Sequence, residues 1–216
     1  MALNGGSLDA AMLAQGNGNF AVLVIDEEDG DTGHREANAE IITALVNSNK
    51  PAPTTDQEKN AVYHRGVTFH QARTLRVAAA LGWPVYMCVF RMGQASAKGV
   101  DREHWSLTLR AYVSPGNSVL FTKPTANAFD QTGLAKMLTD RNVNSLIVLG
   151  YQMNACCRSS VFGGVHPFSD SSGAIKHGFN VWSSRSILRM ENPTQSMMPL
   201  VEELWKNTKG AMLYDK

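Results

Sequence analysis

The chain alternates short, continuous apolar runs with longer stretches in which apolar residues recur every three or four positions. Continuous runs of this length are typical of strands buried on both faces, and the wider spacing is typical of helices with one buried face. The pattern predicts strands at 20–25, 84–90, 119–122, 145–149, 179–183 and 211–214. It predicts helices at 69–81, 130–141 and 194–207.

Strands that alternate with helices predict an α/β fold, because a parallel strand needs a crossover connection to return to the same sheet. We expect three layers, α-β-α, around a mostly parallel, doubly wound sheet of about six strands. The polar stretch 49–66 contains two prolines and is predicted to be an exposed loop or insertion. A second irregular stretch, 163–173, is a candidate cover for the site. We expect an N-terminal arm at 1–19, which packs on a neighbouring subunit, and a single domain over 20–216.

Composition narrows the class of protein. A hydrophobic fraction of 44% over 216 residues suffices for one sizeable core. The net charge of +1 provides no broad positive field for nucleic acid. Apolar runs stop far short of the ~20 residues that a membrane helix needs, and the first residues lack the features of a signal peptide. These properties predict a cytoplasmic protein without a nucleic-acid or membrane partner.

Three polar residues follow predicted strands, at the edge where doubly wound sheets bind ligands. Asp26 comes directly after the first strand, Lys123 after the third and Cys156 a few residues after the fourth. Taken singly, Asp26 resembles an ordinary turn acid and Lys123 a solvated charge. Together they predict an active site, because an acid can take the thiol proton, a lysine can balance the charge and a thiolate can attack a carbonyl.

Cys156 carries the strongest single signal. Asn154 is a plausible N-cap, which places Cys156 in the first turn of a helix, where the backbone N–H groups and the helix dipole favour a thiolate. For Cys88, inside a strand, and for Cys157 we expect small buried apolar side chains instead. Adjacent Cys156 and Cys157 also disfavour a disulfide framework, so reduced thiols are expected.

These segments resemble the isochorismatase-like cysteine hydrolase superfamily, which includes nicotinamidases, N-carbamoylsarcosine amidase and ureidoacrylate hydrolases. The similar motifs are AVLVID with Asp26, KPTANAF with Lys123, and GYQMNAC with Gly150 and Cys156. The segment RTLRVAAALGWPVYMCVF is similar to the second βα unit of the family. The resemblance extends over 20–162 and keeps the order and spacing of the three catalytic positions.

The resemblance implies further features of the site. The oxyanion hole would use the backbone N–H groups of Gln152 and Cys156, and the Tyr151–Gln152 peptide bond would be cis. The usual Thr-Asp before the nucleophile is Met153-Asn154 here, and an acidic segment, EEDGDTG, follows Asp26 in place of the common aromatic-ending one. These departures concern the substrate more than the chemistry.

No metal or cofactor is expected. The Asp-x-His motif of nicotinamidases is absent after the second strand, which reads FRMGQASAKG, and a nicotinamidase is therefore disfavoured. Five histidines lack ligand-like spacing, namely His64, His70, His104, His166 and His177.

Three functions remain open. The first is hydrolysis of a small amide, ureido or carbamoyl substrate through a covalent thioester on Cys156. The second is cleavage of a vinyl ether such as isochorismate, with Asp26 as the acid and no role for the thiol. The third is a non-catalytic binding protein on the same scaffold. The resemblance implies a small-molecule substrate and a homo-oligomer, and it leaves the number of subunits open.

Overall fold

The computed structural model describes residues 19–27, 32–48, 52–91, 107–113, 115–164, 172–190 and 211–213. Six parallel strands lie side by side in the order β3-β2-β1-β4-β5-β7. They are β1 (Phe20–Ile25), β2 (Val85–Phe90), β3 (Ser118–Lys123), β4 (Ser145–Tyr151), β5 (Asn180–Ser183) and β7 (Ala211–Leu213). The predicted α/β fold with a mostly parallel sheet is confirmed, and the predicted strand bounds differ from these by two residues or fewer.

A further short strand, β6 (Leu188–Arg189), pairs with the end of β4, where Gly150 lies opposite Leu188 and Tyr151 opposite Arg189. It was not predicted, because two residues carry no readable periodicity. The chain builds the sheet outward from β1 in both directions, so the topological switch point lies between β1 and β4.

Helices cover both faces of the sheet. They are α1 (Thr32–Asn47), α2 (Asp56–Ala80), α3 (Leu107–Arg110), α4 (Leu134–Asp140), and a π-helical turn (Met153–Cys157) that continues as α5 (Arg158–Phe162). Side chains of β1 alternate between two buried clusters. Leu23 packs in the cluster that contains α4 and α5, whereas Val22 packs in the cluster that contains α2 and α3. The sheet is therefore the middle of three layers.

The prediction of an exposed loop at 49–66 is wrong, because α2 begins at Asp56. Thr55 and Glu58 form a capping box, in which the Thr55 side chain accepts from the Glu58 N–H and the Glu58 carboxylate accepts from the Thr55 N–H. Only Ala61 and Val67 are buried in the first half of the helix. That half therefore shows too weak an apolar pattern to be recognised as a helix.

The helix predicted at 130–141 is shorter than expected. It begins at Leu134, because Gly133 before it has a left-handed φ of 72° and caps the helix. The helix predicted at 194–207 and most of the predicted arm at 1–19 lie outside the described residues. In the described part of the chain, no helix combines the length and apolar character required to cross a bilayer.

Candidate active site

The structure brings the side chains of Asp26, Lys123 and Cys156 together at the carboxyl edge of the sheet. The Lys123 Nζ atom lies 2.8 Å from Asp26 Oδ2. The Cys156 thiol interacts by hydrogen bonding with the side chains of both residues. Three groups from three separate segments therefore form one cluster next to the switch point of the sheet.

Backbone geometry directs the Asp26 carboxylate. The residue has a left-handed φ of 51°, a conformation that Asp tolerates better than most residues. Its N–H donates to the Cys88 carbonyl at 2.9 Å, which continues the pairing of β1 with β2. The Phe90 N–H donates to Asp26 Oδ1 at 2.7 Å. One carboxylate oxygen is thus held by backbone and the other by Lys123.

Lys123 is the last residue of β3, and its side chain is fully buried. Its ammonium group donates to the Thr125 carbonyl at 3.3 Å and lies 5.0 Å from the centre of the Phe90 ring. Burial alone would lower the pKa of Lys123, but the carboxylate of Asp26 and the nearby thiols outweigh burial and raise the pKa. A buried cation must be paired to be tolerated, so Lys123 stays charged against Asp26.

Cys156 lies in the π-helical turn that follows β4, so it occupies a first helical turn as predicted. Asn154 is not the N-cap; the turn begins at Met153, and Gln152 precedes it in an extended conformation. The Gln152 carbonyl accepts from the N–H groups of Ala155 and Cys157, at 3.0 and 3.1 Å. The Tyr151–Gln152 peptide bond is cis, at the position that the family resemblance implies.

The resting thiol of Cys156 is neutral, contrary to the expectation of a thiolate. Burial is the largest cause and the Asp26 carboxylate the next, and together they raise the pKa of Cys156 from 9.0 to about 11. The Lys123 ammonium lowers this pKa without compensating for the other two causes. The proton therefore stays on the sulfur until a base removes it.

Gly150 allows β4 to approach β1 closely at this edge. A Cβ atom on Gly150 would lie 2.1 Å from the Ile25 carbonyl oxygen, and the glycine has a φ of 133°. Only glycine fits such a contact and such a φ. Ile25 directly precedes Asp26, and Gly150 directly precedes the cis bond. The contact between them therefore sets the distance between the carboxyl ends of β1 and β4.

Ser160 was not predicted from the sequence, although it connects the segments of Cys156 and Lys123. Its fully buried hydroxyl donates to the Cys156 carbonyl at 2.8 Å and accepts from the Ala128 N–H at 2.9 Å. Asn127 was also missed; its Oδ1 accepts from the Phe129 N–H and its Nδ2 donates to the Ser172 carbonyl. Both are polar residues in or near the quoted motifs, and this position is the signal that the sequence offers for them.

The other two thiols lie in the core. Cys88 and Cys157 are completely buried, and burial raises the pKa of each well above its ordinary value. In the described ranges, no three His, Cys, Asp or Glu side chains come close enough together to hold a metal ion. Most of the segment FRMGQASAKG, where the metal motif of nicotinamidases was looked for, falls outside those ranges.

Comparison with known proteins relates this geometry to a family. The profile of the isochorismatase domain matches residues 31–167, a segment that contains Lys123, Gln152 and Cys156 and begins after Asp26. No curated protein matches the chain at a significant level.

Solved structures share the fold at low sequence identity. A nicotinamidase from Bacillus subtilis has a TM-score of 0.60 and 16% identity, with 91% of this chain and 99% of that chain covered. An N-carbamoylsarcosine amidase from Thermoplasma acidophilum has a TM-score of 0.57 and 14% identity, with 90% and 95% covered. An isochorismatase family protein has a TM-score of 0.58 and 15% identity, with 91% and 98% covered. Because the domain profile matches well over half of the chain, the protein belongs to the isochorismatase family of hydrolases.

Proposed function

We propose that the protein is a cysteine-dependent hydrolase of a small amide, ureido or carbamoyl substrate. The observation that carries the proposal is the fully buried Lys123 ammonium, 2.8 Å from the Asp26 carboxylate, with both groups beside the Cys156 thiol. A carboxylate, an ammonium and a thiol in contact provide a base, a counter-charge and a nucleophile. The amidases among the structural neighbours favour a C–N bond as the target.

The first half of the reaction begins from the neutral thiol. Asp26 takes the proton of Cys156 as the sulfur attacks the substrate carbonyl, so the thiolate forms only when it is used. The negative charge on the tetrahedral oxygen is stabilised by the N–H groups of Gln152 and Cys156, which serve as the oxyanion hole. Protonated Asp26 then gives its proton to the leaving nitrogen, the C–N bond breaks, and a thioester remains on Cys156.

The second half returns the protein to its starting state. Asp26 removes a proton from water as the water oxygen attacks the thioester, the C–S bond breaks, and the proton returns to the sulfur. Lys123 remains protonated throughout. Its charge balances the negative charge that develops next to it.

Ammonia release from a panel of small amides and ureides, with Cys156→Ala as the blank, tests the proposal. Removing the nucleophile should lower turnover by at least roughly 10³-fold, as removal of a covalent nucleophile does in other hydrolases. Cys157→Ala is the matched control, because it removes the adjacent thiol, which points into the core, and should retain turnover. Substantial activity in Cys156→Ala would rule out the thioester route.

A second product assay separates the alternatives. Pyruvate released from a vinyl ether, at equal rates in the natural protein and in Cys156→Ala, would indicate acid catalysis by Asp26 instead.

Assembly into a homo-oligomer and independence from a metal remain predictions from the sequence. Light scattering of the purified protein and turnover after treatment with a chelator test them.

A further inference from the structure

A second buried charged group lies one residue beyond Asp26 and takes no part in the proposed reaction. Glu27 is 2% exposed. Its Oε1 accepts from Gln71 Nε2 at 2.7 Å, and its Oε2 lies 3.2 Å from the NH2 group of Arg189. Asp26 thus faces Lys123, whereas Glu27 faces α2 and β6.

Arg189 connects this carboxylate to the other side of the site. It lies in β6 directly opposite Tyr151, the first residue of the cis bond that leads into the proposed oxyanion hole. It also donates to Thr68 Oγ1 at 2.6 Å, on α2. The chain around it is held to the same helix, since the Tyr63 hydroxyl donates to the Leu188 carbonyl and accepts from the Met190 N–H.

The ion pair therefore lies between the carboxyl ends of β1 and β4, which lead into the residues of the proposed reaction. Gly150 and Ile25 touch at the last point where β4 and β1 run side by side. Beyond that point β1 continues into Asp26 and Glu27, and β4 continues into Tyr151 and Gln152. The ion pair of Glu27 with Arg189 connects the segment that follows β1 to the strand that pairs with the end of β4. Gln71 attaches the pair to α2.

Stability alone is a weak reason for such a pair. Removing two charges from water costs about as much as their attraction returns, so apolar replacements are often as stable. A buried ion pair instead restricts the positions of the segments that carry it, because each charge keeps its hydrogen bonds in only one arrangement of its partners. In an active site, displacement of a group by about 1 Å can cost roughly 100-fold in rate.

We propose that the Glu27–Arg189 ion pair, braced by Gln71, is a positioning device that fixes the Asp26 carboxylate relative to the Gln152 N–H. The inference rests on the proposed function, in which Asp26 moves protons and Gln152 helps to stabilise the oxyanion. The pair acts through the backbone at Asp26 and at Tyr151 and contacts neither the thiol nor the substrate. Glu27 and Arg189 are therefore positioning residues.

The test uses a double variant that removes both charges. Glu27→Gln alone leaves the partly buried Arg189 cation without its carboxylate partner and is expected to unfold at lower temperature, so an effect of position could not be separated from an effect of stability. Glu27→Gln combined with Arg189→Met leaves no unpaired charge and should melt close to the natural protein. We expect kcat of the double variant to fall roughly 10- to 100-fold, with KM changed less than about threefold, because base and oxyanion positions matter most in the transition state.

Asn117→Ala provides a control for loss of stability alone. Asn117 donates to the Gly82 and Trp83 carbonyls at the amino edge of the sheet, opposite the site. Its removal should lower the melting temperature without changing kcat. A double variant with natural kcat would overturn the proposal.

A second measurement does not depend on amide turnover. The pH profile for alkylation of Cys156 by iodoacetamide, followed by mass spectrometry, reports how the Asp26 carboxylate is placed against the thiol. In the double variant the net charge of the pair stays at zero, so a shifted profile indicates displaced Asp26 and supports the proposal. A natural profile overturns it, even if no amide substrate has been found.

Discussion

At the scale of single residues, the chemistry depends on which charges surround one sulfur atom. Burial and the Asp26 carboxylate raise the pKa of Cys156 to about 11, and Lys123 works against them. The same carboxylate that suppresses ionisation is also placed to remove the proton.

Two substitutions should change the reactivity of this thiol in opposite directions. Asp26→Asn removes a charge that raises the pKa of Cys156, so alkylation by iodoacetamide near neutral pH should become faster. Lys123→Met removes the charge that lowers it, so alkylation should become slower. Both variants should lose amide turnover. Slower alkylation in Asp26→Asn would contradict the electrostatic account, and Cys156→Ala provides the unlabelled reference.

At the scale of elements, two glycines differ in how much room the surrounding structure leaves for a side chain. Gly150 in β4 has the Ile25 backbone within 2.1 Å of where a Cβ would lie, while Gly66 inside α2 has nothing within 4 Å. The first holds two strand ends together at the site. The second costs helix stability without a steric reason.

Alanine at these positions should therefore have effects of opposite sign. Gly150→Ala forces backbone apart at a strained φ and should destabilise the fold by at least about 3 kcal/mol and reduce turnover. Gly66→Ala should stabilise the protein by about 0.5–1 kcal/mol and leave turnover unchanged. Urea unfolding of both variants measures the two effects. A stable Gly150→Ala variant would show that β1 and β4 can separate without loss.

At the scale of the whole molecule, burial of ionisable groups links stability to pH. The pKa values of Cys156, Cys88, Cys157, Tyr63 and Tyr86 are all raised, with burial the largest cause in each. A thiol with a raised pKa keeps its proton in the folded state after the unfolded chain has lost it. The contribution of Cys156 to the free energy of unfolding is therefore constant well below pH 9 and falls as pH rises from about 9 to about 11.

The variant Cys156→Ala shows how much of the stability lost at alkaline pH comes from this one thiol. Its free energy of unfolding should fall less steeply between about pH 9 and 11 than that of the natural protein. The difference should approach about 2 kcal/mol at the upper end. Urea unfolding at several pH values in this interval measures it. Parallel curves for the two proteins would contradict the raised pKa.

Much of this architecture follows from local pattern. Short, continuous apolar runs predicted the strands, because burial on both faces requires a continuous run. The placement of Asp26, Lys123 and Cys156 at one edge followed from parallel topology, since the carboxyl ends of parallel strands lie together. The pattern failed for the first half of α2, where Ala61 and Val67 alone are buried and a capping box starts the helix.

What the sequence determined by itself was the order of the six main strands and the three groups that meet at the sheet edge, because both depend on short-range periodicity and on the geometry common to all parallel sheets. The helix Thr32–Asn47 was not predicted. Only the tertiary structure decided the protonation of Cys156 and the pairing of Glu27 with Arg189. Both depend on distances between residues far apart in the chain and on how completely water is excluded around them. No local pattern contains either quantity.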